Sequence, residues 1–195
     1  MNLFLVRHGR TEENEAGILM GHHHGVLTEQ GKQQAEETAL ALKDHHFSHI
    51  YSSDLDRCVD TTEIIKKFHP DTLVTFTPEL RERNLGVLQG QVTKLIDWNN
   101  LPGDGDDKKP EGGESIAELG KRALDFVAKM YAQHSTESIL FVTHNGWMKQ
   151  VVAHFTGVHS KDLTDIKNAA VIEIEVGENM TGKVLNFDHE KDAHK

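Results

Sequence analysis

Two short apolar runs, each closing on a histidine, constrain this chain more than any other feature. Leu3-Phe4-Leu5-Val6 leads into Arg7-His8-Gly9, and Ile139-Leu140-Phe141-Val142 leads into Thr143-His144-Asn145-Gly146. An unbroken apolar run of this length reads as a strand covered on both faces, whereas a strand with one wet face alternates. Around these runs the period changes to that of helices, and strands alternating with helices specify an α/β fold. The expectation is a three-layer sandwich, with a mostly parallel central sheet and helices on both faces. In such sheets ligands gather beyond the carboxyl ends of the strands, so adjacent runs would bring His8 and His144 to one edge.

The remaining elements follow from the same reading. Arg10 to Val26 lacks periodicity and is punctuated by Gly17, Gly21 and Gly25, which marks a loop. Thr28 is placed to cap a helix from Glu29 to about Leu42. Ile50-Tyr51 is a strand. Ser53 then reads as the N-cap of a helix, with Asp54 and Asp56 in the first turn and Leu55, Val59 and Thr62 on one face. Leu73 to Phe76 is a further strand, and a loop-rich excursion occupies about 78–113, with a short helix expected around Lys94 to Trp98. A long amphipathic helix spans about Ser115 to Tyr131 and another Trp147 to Phe155. Val171 to Val176 is the last strand, with Glu173 and Glu175 facing water. The whole, 1–195, reads as one domain without internal repeats.

Composition excludes several classes. With 37% hydrophobic and 27% charged residues in 195, the chain can enclose a core and is neither fibrous nor disordered in character. Its strongly apolar runs fall far short of the roughly 18 residues that cross a bilayer. A formal charge of -10 without a basic stripe argues against nucleic acid and anionic membrane as partners. A small phosphorylated metabolite remains compatible, because local arginines decide a site while distant charges are screened. The single cysteine, Cys58, forms no intrachain disulfide, and the first residues carry no basic leader or cleavage site; both lead to the expectation of a cytoplasmic protein. No apolar stripe is left over to mark a dimer face, so the oligomeric state is unassigned.

Counting guanidiniums near the two imidazoles points to phosphoryl chemistry. Arg7 adjoins His8, and Arg57 sits on the helix that opens after the second strand. Planar guanidinium forks bind phosphate oxygens in pairs. A neutral imidazole can attack phosphorus, and fixed cations stabilise the charge that spreads over the equatorial oxygens. The leaving oxygen still needs a proton.

Five segments occur together in one order: Leu5-Val6-Arg7-His8-Gly9, Ser52-Ser53-Asp54-Leu55-Asp56-Arg57, Leu80 to Gly90 containing Arg81-Glu82-Arg83, Gly112-Gly113-Glu114-Ser115, and Val142-Thr143-His144-Asn145-Gly146. On these motifs the sequence resembles the phosphoglycerate-mutase-like histidine phosphatases, from Asn2 to about Phe187. The resemblance implies that His8 is the phosphorylated nucleophile, that Arg7, Arg57 and His144 hold the phosphoryl group, and that Glu82 is the general acid and later the base. It also makes Asn14 a phosphate contact. Gly21, Arg83 and Asn145 complete the substrate-binding candidates, Arg83 for a second anionic group. No metal and no other cofactor is required, since two arginines and a histidine supply the stabilisation that a divalent ion otherwise would. Glu82 must be protonated when it donates and His8 neutral when it attacks, so an acid-to-neutral optimum is expected. Cofactor-dependent mutases of the family carry a long insertion where this chain has only Gln91 to Gly112, which favours water as the acceptor and hence a phosphatase. The alternatives are a phosphoglycerate mutase and a catalytically silent member that binds a phospho-ligand or a protein.

Other features read as structural. His22-His23-His24 cannot all converge on one metal ion from an extended loop, so that segment is taken as solvated or substrate-facing. The following His24-Gly25-Val26-Leu27-Thr28 departs from the Asp-Ser-Pro-Leu-Thr run common in the family, which bears on substrate preference. Gly112 to Ser115 reads as loop and helix start, with Glu114 complementing the dipole. Cys58 reads as an inert buried thiol, Trp98 as packing the excursion onto the core, and Asp104 to Asp107 as a mobile solvated loop. His45, His46, His134 and His194 are expected on the surface.

Overall fold

Six strands form one sheet in the computed structural model, which describes residues 1–186. They are β1 (Asn2–Arg7), β2 (His49–Ser53), β3 (Leu73–Thr77), β4 (Ser138–Thr143), β5 (Val171–Val176) and β6 (Gly182–Val184), in the spatial order β3-β2-β4-β1-β5-β6. The first four run parallel, while β5 pairs antiparallel with β1 and β6 pairs antiparallel with β5 at the edge. Five α-helices accompany them: α1 (Glu12–Ala16), α2 (Glu29–Leu42), α3 (Asp56–Lys66), α4 (Ile116–His134) and α5 (Asn145–Thr156).

The unbroken apolar runs are explained by cover on both faces of the sheet. Leu3, Leu5, Ile139 and Phe141 pack under α4 and α5, against Phe126, Val127 and the fully buried Trp147. Their neighbours Phe4, Val6, Leu140 and Val142 point the other way, under α2 and α3, against Ala35, Ala39 and Ile65. Register fixes the functional edge. Arg7 lies opposite Thr143, and the His8 N–H donates to the Thr143 carbonyl at 3.0 Å, so both strands release their histidines side by side.

Thr28 caps α2 as expected, accepting from the Gly31 N–H, and at the start of α4 Ser115, expected only as the helix start, forms a reciprocal capping box with Glu118. The N-cap of α3 is Leu55 instead of Ser53, which ends β2 and turns its hydroxyl to the Leu55 N–H and to His144. Asp54 is consequently outside the helix and grips Arg81 with two bonds of 2.6 Å. The expected loop after β1 contains α1, a polar helix held by a Thr11–Asn14 capping box. Around Lys94 to Trp98 there is no α-helix: two 3-10 turns, Thr93–Leu95 and Trp98–Asn100, are separated at Asp97, whose carboxylate accepts from the Asn99 N–H and competes with helix formation. Helix α5 starts at Asn145, two residues before the expected Trp147, and β6 was not expected at all. His194 lies outside the described residues. Among the described residues no helix is long and apolar enough to cross a membrane.

Close backbone approach behind the histidine loop depends on two glycines. A Cβ on Gly31 of α2 would lie 2.0 Å from the Arg10 carbonyl oxygen, and one on Gly9 would lie 2.4 Å from that of Gly31. Helix propensity alone predicts that Gly31→Ala stabilises by about 1 kcal/mol. The backbone clash reverses the sign, and a net loss of about 1–3 kcal/mol is expected in urea unfolding. A midpoint at or above the wild-type value would contradict this packing.

Candidate active site

His8 follows the last residue of β1 and is 2% exposed. Its Nδ1 lies 2.7 Å from the Gly9 carbonyl oxygen. A carbonyl only accepts, so Nδ1 carries the proton and the Nε2 lone pair is bare. Burial, reinforced by Arg57 and Arg7, holds the His8 pKa well below the ordinary histidine value. The ring is therefore neutral at neutral pH.

His144 occupies the matching position after β4, fully buried, with its ring centroid 5.2 Å from that of His8. Arg57 Nε donates to His144 Nδ1 at 3.2 Å, which leaves the proton on Nε2, facing Ser53 Oγ at 2.9 Å. Burial and the charge of Arg57 push its pKa well down too. Cys58 lies beside it, with Sγ 3.4 Å from Nε2, and burial pushes that thiol up to about 12. A thiol so protonated is inert, in keeping with the structural expectation.

Arg57 is 1% exposed, yet among the described residues no carboxylate forms an ion pair with it. Its other donors reach the carbonyls of His23 (2.6 Å) and Gly21 (2.9 Å). Arg7 gives Nη1 to the Ile166 carbonyl at 2.5 Å, while its Nε is buried without a partner. Burial lowers both pKa values, but guanidinium stays charged under any ordinary condition. Two cations are thus fixed beside two neutral imidazoles, an arrangement that calls for an anion.

Glu82 comes from the excursion and is held by backbone donors: Oε1 accepts from the Arg83 N–H (2.8 Å) and Oε2 from the Gly146 N–H (3.0 Å). A Cβ on Gly146 would stand 2.3 Å from Oε1, so only glycine admits the carboxyl there. Arg122, on α4, clamps the segment by donating to the carbonyls of Glu79, Arg81 and Glu82. Glu114 pairs with that same guanidinium at 2.9 Å and accepts from the Asn84 N–H, so its work is to anchor this clamp and not to complement a dipole. Thr143 adds a bond to the Leu80 carbonyl.

His8, Arg7, Arg57 and Glu82 line one cavity of about 510 Å³, whereas the fully buried His144 touches Arg57 but does not line the cavity. All four substrate-binding candidates, Asn14, Gly21, Arg83 and Asn145, line it as well. Gly21 contributes its carbonyl to Arg57, and Arg83 is braced by the carbonyls of Glu114 and Lys108. Asn145 donates to Asp165 and accepts from the Ile166 N–H. The histidine triplet is divided: His22 Nε2 donates to the Glu82 carbonyl, His23 gives its carbonyl to Arg57, and His24 pairs with Asp56 at 3.0 Å. Trp98 borders the cavity, and Asp106 is tied to His159 and Lys161 instead of standing free in solvent. His45 and His46 are exposed, whereas His134 is largely covered and bonds Tyr51 and Glu137.

Sequence reasoning missed Glu13, Lys149 and Asp165 as lining residues, and Asn168, whose amide donates to the His8 carbonyl and to Asn14. Ala169 was missed also: at φ 58° its N–H reaches the Arg7 and His8 carbonyls. No local pattern marks these positions. Among the described residues no group of three or more His, Cys, Asp or Glu side chains could hold a metal ion.

The two neutral imidazoles carry a stability consequence. Their folded pKa values lie below the unfolded one, so beneath about pH 6.5 the unfolded chain binds protons that the native chain refuses, and stability falls as pH falls. Each contributes a slope of up to about 1.4 kcal/mol per pH unit in that window. Urea unfolding between pH 7 and 5 should show this slope, reduced in His144→Asn; an equal slope in the variant would contradict buried neutral histidine.

Comparison with known proteins agrees with the geometry. The family model for the histidine phosphatase superfamily (branch 1) matches residues 3–188. The metal-independent phosphoserine phosphatase of Arabidopsis thaliana is 33% identical over 177 residues, 81% of this chain and 70% of that protein. A broad-specificity phosphatase of Saccharomyces cerevisiae is 31% identical over 167 residues, covering 78% and 69%. Among solved structures, Bacillus stearothermophilus YhfR superposes with a TM-score of 0.84 at 27% identity, covering 96% of this chain and 98% of its own. The chain belongs to the histidine phosphatase superfamily and is an enzyme of the phosphatase class.

Proposed function

We propose that the protein is a metal-independent phosphatase that hydrolyses small cytoplasmic phosphomonoesters through a phosphohistidine on His8. One observation carries the reading: the bare Nε2 of a neutral His8 stands in a cavity with the buried guanidinium of Arg57 and the half-buried one of Arg7, neither of which has an ion-pair partner among the described residues. Nε2 attacks phosphorus and forms the P–N bond, while the ester P–O bond breaks. Arg7 and Arg57 stabilise the phosphoryl oxygens as negative charge redistributes, and His144 Nδ1 fixes the orientation of the Arg57 guanidinium. The protonated Glu82 carboxyl gives its proton to the leaving alkoxide. Glu82, now a carboxylate, takes a proton from water as the water oxygen attacks phosphorus. The P–N bond breaks, phosphate leaves and neutral His8 is restored.

Asn14 and Asn145 orient the phosphate end and Arg83 faces the outer part of the substrate. The segment from Gln91 to Gly112 is too short to carry a long insertion over the site, which favours hydrolysis over transfer to a second substrate hydroxyl. The names of the relatives put phosphoserine among the esters to try.

The test is phosphate release from a panel containing phosphoserine, phosphoglycerates, fructose bisphosphates and 4-nitrophenyl phosphate, with chelator present. Wild type should turn over at least one ester, and His8→Ala should lose at least about a thousandfold in kcat/KM. Isomerised phosphoglycerate without released phosphate would identify a mutase, and no reaction with any ester would leave a silent binder. The pH profile offers a separate check. Since burial and two guanidiniums depress the His8 pKa, the acidic limb of kcat/KM should fall below pH 6.5. A limb at or above 6.5 would contradict a nucleophile held neutral.

A further inference from the structure

Glu13 is the one acidic side chain on α1 that turns into the cavity, and nothing in the catalytic cycle uses it. Its Oε2 is buried and accepts no hydrogen bond. A buried carboxylate oxygen without a donor is costly unless a positive field compensates. Here the field comes from Arg57. A methyl placed on Gly25 would lie 3.1 Å from Glu13 Oε2 and 3.4 Å from Arg57 Cδ, so the two side chains face the same small gap, which only glycine leaves open. The two groups interact through space, since the resolved bonds of the Arg57 guanidinium go to His144, His23 and Gly21. Asp165 stands in a similar relation to Arg7, but it lies at the exposed rim and is held by Asn145 and Lys149. Glu13 has no such bond.

Charge balance gives this placement a consequence. Two guanidiniums match a phosphate dianion, and Glu13 then adds surplus negative charge. We propose that Glu13 is an internal counter-anion, which neutralises Arg57 while the site is empty and repels bound phosphate, so that product is not retained. The proposal rests on the reading of the cavity as the phosphate site. Glu13 acts through the field at Arg57 and is a positioning residue. A role as receptor for a substrate ammonium group fits less well, because Oε2 is buried towards Gly25 and has no exposed surface to offer a ligand.

Calorimetric titration with inorganic phosphate tests the idea directly. In Glu13→Gln, which keeps the shape and removes the charge, the Kd for phosphate should tighten about tenfold, the size expected for one charge a few ångströms away in a protein site. The KM for 4-nitrophenyl phosphate should fall with it while kcat does not rise. Glu13→Asp should remain near wild type. So should Glu12→Gln, which removes a charge from an exposed position on the same helix. Phosphate affinity that is unchanged or weaker in folded Glu13→Gln overturns the proposal, as does a KM that rises only for amino-bearing esters. Wild type that binds no phosphate would overturn the reading of the cavity itself and, with it, the role of Glu13.

Discussion

The Arg57 guanidinium carries a full positive charge at 1% exposure without a carboxylate in ion-pair contact among the described residues. An uncompensated buried charge costs several kcal/mol, so everything near it is arranged to make that charge tolerable. Two loop carbonyls and a histidine nitrogen accept its protons. Burial holds both neighbouring imidazoles, His8 and His144, in the neutral form, and the Arg57 charge reinforces it. An incoming phosphate dianion would replace this makeshift solvation with direct ion pairing. Differential stabilisation of that kind is what a transition state with spreading negative charge requires.

The sheet supplies the precision. Parallel pairing of β1 with β4 places Arg7 opposite Thr143, and the next residue on each strand is a histidine. Glycines then remove side chains wherever backbone or carboxyl must come close: Gly9 and Gly31 behind His8, Gly146 beside Glu82. Glu82 lies on an irregular segment, which would be too mobile for acid catalysis if it hung free. Arg122, Glu114, Asp54 and Thr143 tie that segment to α4, β2 and β4 through many bonds, so the loop inherits the rigidity of the core.

Much of this was legible because it is local. A strand buried on both faces must be apolar throughout, and a histidine immediately after it must stand at the strand end; five short motifs name Arg7, His8, Arg57, Glu82 and His144. The misreadings share the opposite cause. Ser53 resembles an N-cap in isolation, but its hydroxyl is claimed by His144, far along the chain, and Asp54 is claimed by Arg81. Lys94 to Trp98 carries an apolar spacing that would suit a helix, yet Leu95 is 81% exposed and no partner surface rewards it. Helix α1 has no buried residue to create a periodic signal. Asn168 and Ala169 acquire meaning only when the segment after α5 meets the end of β1, and Glu13 only when α1 is brought beside Arg57 and Gly25, contacts that no sequence pattern encodes.

The central claim is that burial, reinforced by the guanidinium charge of Arg57 and Arg7, keeps His8 neutral with its proton on Nδ1. Long-range proton–nitrogen NMR of the histidine rings in nitrogen-15-labelled enzyme reads this directly. At pH 7 without ligand, the account predicts for His8 a protonated Nδ1 and an unprotonated Nε2, unchanged down to below pH 6.5. An imidazolium at pH 7, or a neutral ring protonated on Nε2 instead, would contradict it.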